Sequence, residues 1–140
     1  MRPAALDRLG LLPAIEWLAS DVSEHSDIIA EVKVIGKEHT LSEEAAIALF
    51  RITQEALRNV WRHSGATNAQ IVIEFTDSVT RITVTDNGKG FRVPKSIGDM
   101  ARDGKLGLTG MQERAQLVGG NIVVKSTLDE GTIITVELPS

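Results

Sequence analysis

The stretch QEALRNVWRH at positions 54–63 holds the pattern from which the fold of this chain can be predicted. It ends an apolar repeat whose members recur at intervals of three and four residues: Ala45, Ala48, Leu49, Ile52, Ala56 and Val60. That spacing is typical of an amphipathic helix that buries one face. Ser42 is a suitable N-cap, Glu43 and Glu44 suit the first turn, and Gly65 suits a left-handed stop. The sequence therefore predicts a long helix from about 43 to 63.

Three polar residues of this helix, Glu55, Asn59 and His63, recur every four positions. Each step of four rotates by only about 40°, so the three side chains form a row about 12 Å long. A carboxylate, an amide oxygen for a cation and a donor suit a metal-bound polyphosphate, and Arg62 adds positive charge. An ordinary solvated helix face gives the same pattern, so the row alone leaves both interpretations open.

Outward from this helix, the periodicity predicts several shorter elements. A helical pattern covers 6–22, where Pro13 is placed to begin a helix, and another covers 111–118, before Gly119-Gly120. The segment Phe91 to Leu106 lacks periodicity and is interpreted as a long mobile loop. Alternating apolar residues predict five strands, near 32–34, 71–75, 82–84, 122–126 and 132–138.

The predicted order of elements is α-β-α-β-β-loop-α-β-β. Strands joined directly by short turns, such as 76–78 and 129–131, pair antiparallel, so the sheet is mixed and largely antiparallel. The helices are expected to cover one of its faces. This order predicts an α+β fold built as a two-layer sandwich.

A second motif, DNGKGF at 86–91, follows a predicted strand. Asp86 at the strand end offers a carboxylate to a nucleobase amino group, while Gly88 and Gly90 allow sharp turns and close approach to a ligand. Asn87-Gly88 is also a strong hairpin signal, although 91–106 does not resemble a partner strand. Site and turn therefore both remain open for this motif.

A third motif, GKLGLTGM at 104–111, leads into a helix. Glycines before a helix N-terminus suit phosphate binding by backbone N–H groups, although a plain flexible connection has the same composition. The motif is neither a P-loop nor a dinucleotide fingerprint. Thr132, at the start of the last strand, is either an ordinary strand threonine or a hydroxyl beside the site. The candidate binding residues of this third motif are Lys105, Gly107, Leu108, Thr109, Gly110 and Met111.

Composition limits the class of protein. The 140 residues are 42% apolar, which suits one globular domain spanning 1–140. The formal charge is 15 − 19 = −4 and no basic cluster is present, which argues against nucleic acid as a partner. The absence of cysteine excludes disulfides and thiolate metal sites. Without a long apolar run or a signal-peptide core, the chain is expected to be soluble and cytoplasmic.

Taken together and in order, the motifs resemble those of a known superfamily. The segments 55–63, 86–91 and 107–111, with Gly131-Thr132, resemble the N, G1/F, G2 and final Gly-Thr boxes of the GHKL ATPases. Gln54–Asn59 and Gly110–Ala115 further resemble the nitrate/nitrite-sensor and DesK-like class of sensor histidine kinases. The segment 6–11 resembles the junction that follows the dimerisation helices of that class. The resemblance covers essentially the whole chain.

This resemblance implies the Bergerat fold, with ATP between the helices and a mobile lid around 94–106. By likeness, Asn59 is the Mg²⁺ ligand, Asp86 recognises the adenine amino group, and Glu55 polarises the acceptor. Other residues then have implied binding roles: Arg62 and His63 at the phosphates, Gly88 and Gly90 at the adenine pocket and lid hinge, 107–111 with Lys105 around the phosphates, and Thr132 behind the adenine.

The implied activity is transfer of the γ-phosphoryl group of Mg-ATP to a histidine on a separate dimerisation and phosphoacceptor domain, which then serves a response regulator. Nothing around His25, His39 or His63 marks a dimerising helix pair that carries an acceptor. The chain is therefore interpreted as a catalytic fragment, monomeric alone, whose residues 1–20 form the junction. The full-length protein is expected to be a homodimer, and whether it is anchored in a membrane stays open. The alternatives are a serine kinase of the anti-sigma type and an ATP-binding module without turnover.

Overall fold

The computed structural model describes residues 10–38, 40–90 and 108–139, apart from the side chains at positions 63 and 64. The predicted order of helices and strands is confirmed, while the predicted lid at 94–106 lies outside the described residues. The elements, in chain order, are α1 (Leu11–His25), β1 (Ile29–Ile35), α2 (Glu43–Asn59), a π-helical segment (Val60–Ser64), β2 (Asn68–Phe75), β3 (Val79–Asp86), α3 (Leu108–Leu117), β4 (Asn121–Thr127) and β5 (Gly131–Pro139).

The five strands form one mixed sheet in the order β1-β2-β3-β5-β4. Strand β1 runs parallel to β2, whereas β2 with β3, β3 with β5, and β5 with β4 pair antiparallel. This arrangement confirms the prediction of a mixed, largely antiparallel sheet. It also places β3, which ends at Asp86, in the middle of the sheet, where both neighbouring strands fix its end.

One face of the sheet is buried beneath the helices. Ile71 and Ile73 of β2, Ile82 of β3 and Leu138 of β5 are buried on this face, as the alternation predicts. Leu49 and other residues of the predicted apolar stripe of α2 lie in the same hydrophobic core. Burying each such side chain favours folding by roughly 1.5–3 kcal/mol, so this single layer of contacts fixes the helices against the sheet. The α+β, two-layer prediction is confirmed.

The opposite face of the sheet carries polar residues. Arg81 on β3 pairs with Glu137 on β5 at 2.8 Å and with Glu74 on β2 at 3.3 Å. These ion pairs are partly exposed, so each contributes little to stability. They mark the face that the helices leave uncovered.

The caps of the long helix agree with the sequence, but its last turn does not. The Ser42 Oγ accepts a hydrogen bond from the Ala45 N–H at 3.1 Å, and Gly65 has a φ of 66°. The regular α-helix ends at Asn59, however, and Val60–Ser64 form a π-helical turn. The prediction of one regular helix from 43 to 63 is therefore wrong beyond Asn59. A π turn is wider, so His63 does not follow the four-residue spacing of the row.

Two further boundaries differ from the pattern. Helix α1 begins at Leu11, so Pro13 lies in its first turn and not at its first position. N–H groups in the first turn have no intrahelical partner, so the missing N–H of Pro13 costs no helical hydrogen bond. Helix α3 already includes Leu108, so residues 108–111 lie in its first turn and not in the predicted glycine loop. Within the described ranges, no helix is long and apolar enough to cross a bilayer.

Candidate nucleotide-binding site

Asp86, the last residue of β3, is the one buried acidic residue in the described part of the chain. Only 8% of it is exposed, on the face of the sheet that packs against the helices. Burial raises the pKa of its carboxyl group above the ordinary value, while hydrogen bonds from the backbone N–H groups of Gly88 and Thr132 counteract that rise. The Gly88 N–H lies 2.8 Å from Oδ1. A buried carboxyl group with a shifted pKa is typical of functional sites.

The side chain of the neighbouring Asn87 links the end of β3 to the start of β2 by hydrogen bonds. Its Oδ1 accepts hydrogen bonds from the backbone N–H groups of Thr67 at 3.0 Å and Asn68 at 2.9 Å. Its Nδ2 donates to the Thr67 hydroxyl at 2.9 Å. The hairpin interpretation of Asn87-Gly88 is wrong, because β3 pairs only with β2 and β5 in the described sheet. The side chain of Asn87 thus holds the turn that carries Asp86.

We expect Asn87→Ala to lower the free energy of unfolding by about 1–3 kcal/mol, because it leaves two backbone N–H groups and a hydroxyl without their acceptor or donor. Urea denaturation followed by circular dichroism measures this change. Asn121→Ala, at an exposed strand start, is the matched control and should change stability by less than about 0.5 kcal/mol. Equal stability of the two variants would show that the Asn87 bonds do not hold the turn.

Two glycines let the segment after Asp86 lie directly against the β4–β5 turn. A Cβ at Gly90, where φ is 62°, would overlap the carbonyl oxygen of Thr127. A Cβ at Gly131, where φ is 98°, would overlap the carbonyl oxygen of Asp86. The contact is closed by a hydrogen bond from the Asp129 N–H to the Lys89 carbonyl at 2.6 Å. Only glycine tolerates such approach together with a positive φ.

Thr132 lies directly opposite Asp86 in the register of β3 and β5, and only 8% of it is exposed. Its hydroxyl oxygen lies 2.8 Å from that of Ser126, whose own hydroxyl donates to the Gly131 carbonyl at 3.1 Å. The Thr132 hydroxyl therefore donates to Ser126 and keeps lone pairs with which to accept. The sequence interpretation missed Ser126, because only the pairing of β4 with β5 brings it there.

The other predicted residues lie on and after α2. Glu55 and Asn59 are both partly buried, and Asn59 ends the regular helix. The guanidinium of Arg62 lies 5.9 Å from the centre of the Trp61 ring. The backbone of His63 lies in the π-helical segment, and its side chain is not described.

The ends of α2 and β3 come together at one end of the domain. Only four residue steps separate Ser64 from Asn68, so they span at most about 14 Å. Asn68 in turn is bonded to Asn87, beside Asp86. The turn after Asn59 and the end of β3 that carries Asp86 therefore lie at the same end of the domain.

The N-terminus of α3 joins this site from the side of Glu55. Gly110 and Met111 line the same groove as Glu55, and Leu108 and Met111 are buried in the core. The Thr109 hydroxyl is buried without a hydrogen-bond partner among the described residues. Of the third motif, Lys105 and Gly107 lie outside the described residues, so their predicted contacts with phosphate remain predictions.

The described residues fit a magnesium ion that arrives with phosphate. No group of three or more histidine, cysteine or acidic side chains forms a metal cage in the described part of the chain. In nucleotide sites Mg²⁺ needs only one or two protein oxygens, because phosphates and water supply the rest. The amide oxygen of Asn59, at the end of α2, is a ligand of the right kind.

The fold is that of histidine kinase ATP-binding domains. The ATP-binding domain of PrrB from Mycobacterium tuberculosis superimposes with a TM-score of 0.68 at 24% identity, covering 91% of each chain. The catalytic domain of the histidine kinase ThkA gives a TM-score of 0.71 at 15% identity, over 90% of this chain and 89% of that one.

The sequence assigns the family. The profile described as "Histidine kinase-, DNA gyrase B-, and HSP90-like ATPase" matches residues 44–140, and the chain belongs to that family. The profile covers α2, both glycine motifs and the final strands, and therefore all of the predicted site.

Similar full-length proteins are sensor kinases. The DegS kinase/phosphatase of Brevibacillus brevis is 35% identical over 139 residues, which are 99% of this chain and 35% of that protein. The sensor histidine kinase MctS of Rhizobium johnstonii is 39% identical over 139 residues, 99% of this chain and 30% of that protein. The chain thus spans about a third of the length of these relatives.

Proposed function

We propose that this domain binds Mg-ATP and transfers the γ-phosphoryl group to a histidine on a separate dimerisation and phosphoacceptor domain. The observation that carries the proposal is the buried Asp86 carboxylate, held by the backbone N–H groups of Gly88 and Thr132 at the end of β3. Its location between two glycine-dependent contacts suits it to accept a hydrogen bond from a flat group with an N–H donor. The similarity to sensor kinases over 99% of the chain supports the same proposal.

In this proposal the nucleotide spans the two halves of the site. The Asp86 carboxylate accepts a hydrogen bond from the adenine amino group, and the lone pairs of the Thr132 hydroxyl lie behind the ring. Gly88 and Gly90 shape the adenine pocket and the lid hinge, and Gly90 allows the close approach to the Thr127 carbonyl that a side chain would prevent. At the other end Asn59 ligates the magnesium ion. The phosphates lie near Arg62, His63 and residues 107–111, together with Lys105.

The transfer itself depends mainly on positioning and charge neutralisation. A bond forms between the attacking histidine nitrogen and the γ-phosphorus, the bond from that phosphorus to the β,γ-bridging oxygen breaks, and ADP leaves. Glu55 accepts a hydrogen bond from the other ring N–H of the acceptor, which keeps the attacking nitrogen unprotonated. Asn59 and Arg62 stabilise the charge that moves onto ADP.

The proposal extends to the whole protein. Residues 1–20 connect to dimerisation helices that carry the acceptor histidine, and a response regulator receives the phosphoryl group from that histidine. The isolated domain is a monomer, whereas the full-length protein is a homodimer. The domain works in the cytoplasm, where Mg-ATP and a response regulator are available.

The chemical stability of the phosphorylated product tests this proposal. The 140-residue chain is incubated with γ-³²P-ATP, Mg²⁺ and a dimerisation and phosphoacceptor domain from a sensor histidine kinase such as the Brevibacillus brevis relative. We expect label on the acceptor domain that is lost in acid and kept in base, as phosphohistidine requires. Acid-stable label on serine would instead support the anti-sigma-type kinase. ATP binding without labelling of the acceptor would support a module without turnover.

A further inference from the structure

Asp86, Thr132 and Ser126 form a polar row across three neighbouring strands of the sheet. Asp86 of β3 lies directly opposite Thr132 of β5, and Thr132 lies directly opposite Ser126 of β4. Side chains that are directly opposite point to the same face and have Cβ atoms about 4.5–5.5 Å apart. Asp86 and Thr132 are buried, and Ser126 is partly buried. The row therefore lies on the face that the helices cover, where an unpaired polar group is costly.

The next row along the same three strands is apolar. It consists of Val84, Ile134 and Val124, which belong to the hydrophobic core or pack against it. The polar row replaces this apolar layer at the end of the sheet where β3 ends and β5 begins. The polar row is therefore a feature of three strands and not of Asp86 alone.

The hydrogen bonds of this row run in one direction, away from Asp86. A hydroxyl group has one hydrogen, and that of Ser126 is donated to the Gly131 carbonyl at 3.1 Å. The Thr132 Oγ1, 2.8 Å from the Ser126 Oγ, therefore supplies the hydrogen of the bond between them. The Thr132 hydroxyl is left with lone pairs only, beside a carboxylate that also accepts. This end of the row thus presents two neighbouring acceptors to a ligand.

We propose that Ser126 determines which base the pocket accepts, by holding the Thr132 hydroxyl as a hydrogen-bond acceptor. The inference rests on the proposed binding of ATP and adds a positioning residue that acts through Thr132. Two neighbouring acceptors bind a base edge that carries N–H donors, such as the amino group at position 6 of adenine. A carbonyl at that position, as in guanine and hypoxanthine, adds a third acceptor and leaves all three without a donor. The pocket rejects such a base for this reason.

Removing the Ser126 hydroxyl should relax this selectivity. In Ser126→Ala the Thr132 hydrogen loses its acceptor, so the hydroxyl can rotate and donate to a carbonyl at position 6. We expect the ratio of the Kd for the magnesium complex of inosine triphosphate to the Kd for Mg-ATP to fall about 3- to 10-fold, the effect of one hydrogen bond. The new donor strengthens binding of inosine triphosphate, and the loss of a fixed acceptor weakens binding of ATP. Isothermal titration of the 140-residue chain measures both constants.

Two controls separate this role from a structural one. Ser126→Thr keeps a hydroxyl that can accept from Thr132 and donate to Gly131, and it should keep the wild-type ratio. Ser20→Ala removes an exposed hydroxyl of α1 and should leave both constants unchanged. If Ser126→Ala instead weakens the binding of both nucleotides by the same factor, Ser126 only supports the β4–β5 turn and the inference is overturned.

Transfer of ³²P to the acceptor domain measures the proposed function separately. A changed ratio of nucleotide affinities without transfer would support the role of Ser126 and contradict the phosphotransfer proposal. An unchanged ratio with normal transfer would overturn the role of Ser126 alone. A wild-type chain that binds neither nucleotide would overturn both, since Ser126 would have no base to select.

Discussion

Asp86→Asn is expected to weaken ATP binding by about 10- to 100-fold while the fold stays intact. The carboxylate serves three donors: the N–H groups of Gly88 and Thr132 and, by proposal, the adenine amino group. An amide has only one acceptor oxygen, so at least one donor faces an NH₂ group in the variant. A lost hydrogen bond to a charged group costs about 1.5–3 kcal/mol, which corresponds to the expected loss of affinity. Isothermal titration with Mg-ATP measures it.

A nucleotide that lacks the amino group tests whether the loss is specific to adenine. Inosine triphosphate carries a carbonyl where ATP carries the amino group, so the wild-type chain should bind it more weakly than ATP. The amide introduced by Asp86→Asn offers a donor to that carbonyl, and the variant should therefore show a reduced or reversed preference. Asp77→Asn, in the exposed turn between β2 and β3, is the matched control and should keep wild-type affinities. A preference for ATP that survives in Asp86→Asn would refute the assigned role.

The same substitution should remove a pH dependence of the free energy of unfolding. Burial raises the pKa of Asp86 above its ordinary value of 3.8, which means that the folded state favours the neutral carboxyl group. The stabilising contribution of the neutral form is therefore complete below the ordinary pKa and is lost as the pH rises through the raised pKa. The free energy of unfolding of the wild type, minus that of Asp86→Asn, should fall as the pH rises from the ordinary pKa through the raised pKa of Asp86. Above the raised pKa the difference should stay constant. Urea denaturation at a series of pH values measures the difference.

The sequence makes Asp86 a candidate because the signals around it are local. Asp86 breaks the apolar alternation of β3 at a buried position, where the pattern alone predicts an apolar residue. Such a break is visible in a single sequence. The left-handed Gly65 after the helical segment, the Ser42 cap and the alternating strands are equally local signals, and these three were predicted correctly.

What the sequence could not reveal depends on contacts between distant segments. The sequence left a hairpin turn open at Asn87-Gly88, because the partners of Asn87, Thr67 and Asn68, lie about 20 positions earlier. Ser126 meets Thr132 only because β4 and β5 pair in a particular register. The π-helical turn after Asn59 has no residue signature in the 54–63 stretch, whose pattern predicts regular helix.

Asn59→Ala is expected to weaken Mg-ATP binding by at least about tenfold, with little change in the binding of ATP without the metal. Removing a group that fixes a bound metal typically costs about 10- to 100-fold in metal affinity. The alanine removes the only amide oxygen proposed for the magnesium ion, whereas the adenine contacts around Asp86 stay in place. The chain should therefore bind ATP in EDTA nearly as the wild type does. Calorimetry in Mg²⁺ and in EDTA gives the two affinities, and thermal unfolding confirms that the variant is folded.

Asn59→Asp distinguishes a metal ligand from a residue that merely supports the helix end. The aspartate keeps an oxygen in place, and a carboxylate is a good ligand for Mg²⁺, so this variant should retain most of the magnesium dependence that Asn59→Ala loses. Without the metal, the added negative charge repels the triphosphate, and the aspartate variant should then bind ATP more weakly than the alanine variant. The two substitutions thus change order between Mg²⁺ and EDTA. If both lose affinity equally in the two conditions, Asn59 acts on the π-helical turn that follows it and not on the metal.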